Sequence, residues 1–87
     1  MQILYSGSVQ GVGFRYTVKS LAAGFELTGT VQNLPDGMVE LIVEGAKDEL
    51  EGFCQAIDES ELSHFIRHQD VSWSEARGDF RGFAIIR

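Results

Sequence analysis

Arg15 closes the run Gly7-Ser8-Val9-Gln10-Gly11-Val12-Gly13-Phe14-Arg15, in which three positions are glycine. The alternating apolar residues Ile3 and Tyr5 precede the run. Apolar residues at helical spacing follow it: Phe14, Val18, Leu21, Ala22 and Phe25. This order predicts a glycine loop that joins a strand to the N-terminus of a helix. There the backbone N–H groups lack intrahelical partners and the helix dipole favours an anion. A cation in the first helical turn is disfavoured by roughly 0.3–1 kcal/mol, and a bound anion reverses that sign. Backbone donors with one forked guanidinium are the chemistry of phosphate binding. The plainer reading is a solvated surface arginine beside glycines that only make a turn.

The elements that must position this loop follow from hydrophobic period. Residues 2–7 read as a strand, 8–14 as the loop and 14–25 as the first helix, with Gly24 as its stop signal. Leu27, Gly29 and Val31 alternate with Thr28, Thr30 and Gln32, the pattern of a half-buried strand. Asn33-Leu34-Pro35-Asp36-Gly37 is dense in turn formers, and Val39, Leu41 and Val43 then mark a return strand. Ala46, Leu50, Phe53, Cys54 and Ile57 restore helical spacing, with Asp48 and Glu49 in the first turn, where carboxylates suit the dipole. Residues 58–64 read as a polar loop and Phe65 to Trp73 as a strand with Val71 and Trp73 on one face. Asp79 to Gly82 reads as a turn and Phe83 to Ile86 as a short final strand. Two strand–helix–strand halves predict a ferredoxin-like α+β βαββαβ sandwich: an antiparallel sheet with two helices on one face and a short extra terminal strand. The pattern is read as a single domain over 1–87.

Composition narrows the function classes. The chain has 87 residues, 44% of them hydrophobic, enough for one core. No apolar run approaches the roughly 20 residues of a membrane helix, and the N-terminus lacks the order of a signal peptide. The expected setting is therefore cytoplasmic, without a membrane partner and as a monomer. A net charge of −6 argues against a nucleic-acid partner. Cys54 is the sole cysteine, so no internal disulfide forms, and its place on an apolar stripe reads as a buried core thiol.

Two blocks together carry a family resemblance. Ser6-Gly7-Ser8-Val9-Gln10-Gly11-Val12-Gly13-Phe14-Arg15 resembles the phosphate-binding signature of the acylphosphatase family. Gly29-Thr30-Val31-Gln32-Asn33, followed by Asp36-Gly37 and Val39-Glu40, resembles its second signature. The blocks cover about the first half of the chain. Beyond Gly45 the match is loose, although Phe83-Ala84-Ile85 fits the usual ending. Thr30 and Arg87 stand where the family often carries aromatic residues.

The resemblance implies the ferredoxin-like fold and hydrolysis of the carboxyl–phosphate anhydride of a small acyl phosphate. Arg15 matches the family's phosphate-binding arginine, and Asn33 the asparagine that positions the attacking water. The backbone amides of Gln10, Gly11, Val12, Gly13 and Phe14 complete the implied cradle. A carboxylate leaves readily and the transition state spreads charge over phosphoryl oxygens, so positioning and preorganised donors suffice in kind. No nucleophilic side chain, metal or cofactor is implied. Asn33 also admits a structural reading, as an Asx cap beside the Pro-Asp-Gly turn. Against that, it shares strand parity with Val31, which faces inward, where an idle polar group is costly.

Other patterns are weaker. Arg81-Gly82-Phe83-Ala84 copies the first half of an RNA-recognition signature, then departs at Ile85. His64, His68 and Asp70 share strand parity and are a formal metal-ligand set. Gly11-Val12-Gly13 has neither the Lys-Ser/Thr of a P-loop nor the third glycine of a dinucleotide fingerprint. The alternative function is a non-catalytic phosphate-binding or regulatory module on the same fold. Similar domains occur at the front of hydrogenase-maturation proteins.

Overall fold

A computed structural model describes residues 1–86; Arg87 lies outside the described residues. Where side chains alternate, strands form: β1 (Gln2–Gly7), β2 (Leu27–Asn33) and β3 (Val39–Gly45). Ile3, Tyr5, Val31, Val39, Leu41 and Val43 point to one face of these strands and are fully buried. Two helices cover that face, α1 (Phe14–Ala22) through Phe14, Val18 and Ala22, and α2 (Lys47–Glu59) through Leu50, Phe53 and Ile57. Each large side chain buried in this way contributes about 1.5–3 kcal/mol.

Two further strands complete the sheet, β4 (Ile66–Ser72) and β5 (Phe83–Ile86), in the order β4-β1-β3-β2-β5. The first four strands pair antiparallel, as the pattern predicts. β5 pairs with β2 in parallel, so the sheet is mixed and not wholly antiparallel. The reason is topological. β4 lies at one edge and β5 at the other, so residues 73–82 must cross between the edges before pairing resumes. Glu44 pins this crossing segment: its carboxylate accepts from the backbone N–H of Arg77 at 2.7 Å and of Gly78 at 2.9 Å. The Arg77 bond is the main cause that holds the Glu44 carboxyl below its usual pKa.

Two expected boundaries move, and one expected burial changes. α1 ends at Ala22, not at residue 25. Its last turn tightens into bonds from Gly24 N–H to Leu21 O (3.1 Å) and Phe25 N–H to Ala22 O (3.1 Å). Residues 58–64 are not an open loop. α2 continues to Glu59, and Ser60 caps a 3-10 turn over Glu61–His64 by accepting from Leu62 N–H at 3.2 Å. Leu62 is buried there, which holds the turn against the core. Cys54 is half-buried and not a core thiol; it touches the Met1 sulfur at 3.7 Å. Val71, on edge strand β4, and Trp73, just beyond its end, both remain exposed.

Candidate active site

One row of the sheet sets the geometry. Val39 pairs with Tyr5 on one side and with Asn33 on the other, so Tyr5, Val39 and Asn33 lie side by side across β1, β3 and β2. The Tyr5 ring packs on Phe14, the first residue of α1, with centroids 5.2 Å apart. That contact places the helix N-terminus over the end of the sheet where Asn33 lies.

The loop between β1 and α1 is anchored at both ends by buried apolar side chains, Val9 and Phe14. Ser8 N–H donates to Phe65 O at 3.0 Å and ties its start to β4's approach. Gly11 and Gly13 take φ values of 78° and 75°, the left-handed region where a side chain is strained. No non-glycine residue among those described has positive φ, so Val12 between them does not. Such alternation turns successive N–H groups toward one concavity, the geometry of an anion nest. Gly13 is also the N-cap of α1, with no side-chain cap and no acidic residue in the first turn. The helix therefore presents its N-terminal donors and dipole without a built-in anion.

A cleft of about 110 Å³ lies at this point, lined by Val9, Gly11, Gly13, Phe14, Arg15, Tyr16 and Asn33. It is far below the roughly 300–1,000 Å³ of pockets that enclose drug-sized ligands, so it suits one compact group. Among the sequence-predicted residues, the structure thus brings Arg15, Asn33, Gly11, Gly13 and Phe14 together. Gln10 and Val12 belong to the same loop but do not line the cleft. Arg15 is half-buried.

Asn33 is the last residue of β2 and half-buried, on the strand parity of buried Val31. The Asx bond expected beside the turn is made instead by Asp36, whose carboxylate accepts from Met38 N–H at 3.0 Å. The turn therefore has its own Asx residue, and that structural role is already filled.

Sequence reasoning missed two residues. Tyr16 lines the cleft and is 61% exposed. Its place directly after Arg15, off the buried stripe of α1, was a signal available for it. The second is the side chain of Gln10, which donates to Leu34 O at 2.8 Å and Met38 O at 2.9 Å across the β2–β3 turn. Nothing in the local pattern announces that reach.

The remaining candidates do not assemble. His64 belongs to the 3-10 turn while His68 and Asp70 belong to β4. Among the described residues no group of three His, Cys, Asp or Glu could hold a metal ion. The strand carrying Phe83 is a sheet edge. No helix among the described residues is long and apolar enough to cross a membrane.

Fold and cleft define a class: a ferredoxin-like α+β sandwich with a glycine-loop cleft at the end of its sheet. Comparison with known proteins narrows it. The Acylphosphatase family model matches residues 1–85, which extends the likeness well past Gly45. An acylphosphatase of Salinibacter ruber is 40% identical over 82 residues, covering 94% of this chain and 86% of the relative. The crystal structure of acylphosphatase from Bacillus subtilis superposes with a TM-score of 0.89 at 34% identity, covering 99% of this chain and 96% of that one. The crystal structure of T. kodakarensis HypF contains a similar domain, with a TM-score of 0.84 and 31% identity, over 99% of this chain and 11% of that one. The chain belongs to the acylphosphatase family and has that family's enzymatic activity toward small acyl phosphates.

Proposed function

We propose that the chain cleaves acyl phosphates without a metal, through Arg15, the loop amides and Asn33. The observation that carries this reading is that Arg15 and Asn33, from α1 and β2, line one small cleft beside left-handed glycines. In it, the phosphoryl group sits in the loop. The guanidinium of Arg15 and the backbone N–H groups of Gln10, Gly11, Val12, Gly13 and Phe14 hold its oxygens. Asn33 orients a water on the face opposite the acyl oxygen.

The water oxygen forms a bond to phosphorus as the phosphorus–acyl oxygen bond breaks. The electron pair of that bond leaves with the carboxylate. The water's proton passes to a phosphoryl oxygen, giving inorganic phosphate. Charge that spreads over the phosphoryl oxygens meets donors already in place, the kind of term that is worth about 2.7–4 kcal/mol per donor. Tyr16, which lines the cleft and is 61% exposed, gives the acyl end a partly apolar and open rim. That arrangement supports loose selection among acyl groups.

The same reading takes 1–87 as one catalytic domain, a cytoplasmic monomer with no nucleic-acid partner. The net charge of −6 supports the last of these, since it opposes binding to a polyanion. The experiment is hydrolysis of benzoyl phosphate with and without EDTA, by wild type and by Asn33→Ala. Turnover that survives EDTA and collapses in the variant is expected. Folded wild type that shows no turnover, yet gains thermal stability from phosphate, would instead be a binding module.

A further inference from the structure

The side-chain amide of Gln10 crosses from the glycine loop to the turn that follows Asn33. Its Nε2 donates to Leu34 O at 2.8 Å and to Met38 O at 2.9 Å. A primary amide nitrogen has two hydrogens, and both are engaged. Each acceptor also holds a bond within the turn. Leu34 O accepts from Gly37 N–H at 3.1 Å, and Met38 O accepts from Leu34 N–H at 2.8 Å. Each carbonyl thus uses two acceptor sites, one for the turn and one for Gln10.

The placement of these carbonyls gives the contact its meaning. Asn33 pairs with Val39 as the last rung of the β2–β3 ladder. Leu34 follows Asn33, and Met38 precedes Val39. Gln10 therefore grips both arms of the hairpin one residue beyond the rung that carries Asn33, and ties that already closed turn to the glycine loop. Its own backbone belongs to the loop whose start is anchored by buried Val9.

We infer that Gln10 is a positioning residue, whose side chain fixes Asn33 in distance and angle relative to the phosphate loop. The inference rests on the role proposed above for Asn33. It assigns the two parts of Gln10 to different tasks, the N–H to the loop and the side chain to the turn. A rate that depends on the line of attack of a held water is sensitive to such a link, since a displacement of about 1 Å costs on the order of 100-fold.

The test is a double-mutant cycle in the full chain with Gln10→Met, which keeps length and removes both donors, and Asn33→Ala. The readouts are kcat and KM for benzoyl phosphate, with thermal unfolding in the presence and absence of inorganic phosphate. Gln10→Met is expected to lower kcat about 10- to 100-fold, with KM and the phosphate-induced thermal shift little changed. In the Asn33→Ala background the same substitution is expected to change the residual kcat less than about 3-fold.

Equal losses of kcat in both backgrounds, or a loss confined to KM and phosphate binding, overturn the positioning role. Intact turnover in Asn33→Ala alone overturns the reading of Asn33 itself, so the two failures are distinct. If Gln10→Met does not fold, Gln10→Leu is put through the same cycle. Failure of both variants to fold overturns the inference in favour of a purely structural clamp.

Discussion

The Tyr5 and Phe14 rings meet at 57° with centroids 5.2 Å apart, joining the interior strand β1 to the first residue of α1. This contact sets the helix N-terminus over the Tyr5–Val39–Asn33 row, so a core contact determines where the cleft opens. The Tyr5 hydroxyl is buried and has no hydrogen-bond partner among the described residues. Burial, then the neighbouring Cys54 and Asp58, push the phenol's pKa well up.

That hydroxyl is a local cost. A buried, unpaired polar group is unfavourable by about 1–3 kcal/mol. Tyr5→Phe keeps the ring contact and removes the hydroxyl. It is expected to raise stability by about 1 kcal/mol, or Tm by about 4–8 °C. Thermal unfolding checks this, and a lowered Tm would show that the hydroxyl is bonded in solution.

Arg15→Ala separates chemistry from folding. The side chain is half-buried at the cleft and not part of the apolar core. Turnover of acyl phosphate is expected to fall by about 100-fold or more, as when a transition-state donor is removed. The phosphate-induced rise in Tm should vanish while the Tm without phosphate stays near wild type. A sharp drop in that Tm with turnover retained would make Arg15 structural.

Phe53→Ala should do the reverse. Phe53 is fully buried, with Phe25 at 5.8 Å and Phe83 at 6.2 Å between ring centroids. Its truncation is expected to cost about 3–5 kcal/mol in urea unfolding, and a change near zero would contradict this packing. Turnover per folded molecule should remain close to wild type, because Phe53 does not line the cleft.

Cys54 adds a pH dependence. Burial first, then Asp58 and Glu51, push its pKa up to about 11. A raised folded-state pKa means that the folded form holds the proton more tightly. The contribution to stability is therefore complete below the ordinary thiol range and declines as pH rises from about 9 toward about 11. Cys54→Ala is expected to flatten that part of the stability curve. Iodoacetamide at pH 8 should modify the folded thiol more slowly than the unfolded one.

Much of the architecture was legible because it is written in local period. The alternation at Ile3 and Tyr5 and at Val39, Leu41 and Val43 marks faces of strands; the spacing of Leu50, Phe53 and Ile57 marks a face of a helix. The parity of Asn33 with Val31 told which side of the sheet it occupies, and the glycines beside Arg15 told where a backbone concavity forms. The end of α1 and the 3-10 turn over Glu61–His64 were not legible, because i→i−3 bonds and a serine cap leave no periodic trace.

The amino-acid sequence by itself determined which residues face inward, where the loop lies, and which family the two motifs resemble. Tertiary structure alone decided that Tyr5, Val39 and Asn33 share one row, that β5 joins β2 in parallel, that Asp36 makes the Asx bond, and that Gln10 reaches the turn. The reason is physical. Period encodes the face of an element. The bonds of Gln10 span 24 and 28 residues along the chain, and such pairings exist only after the sheet and helices have packed.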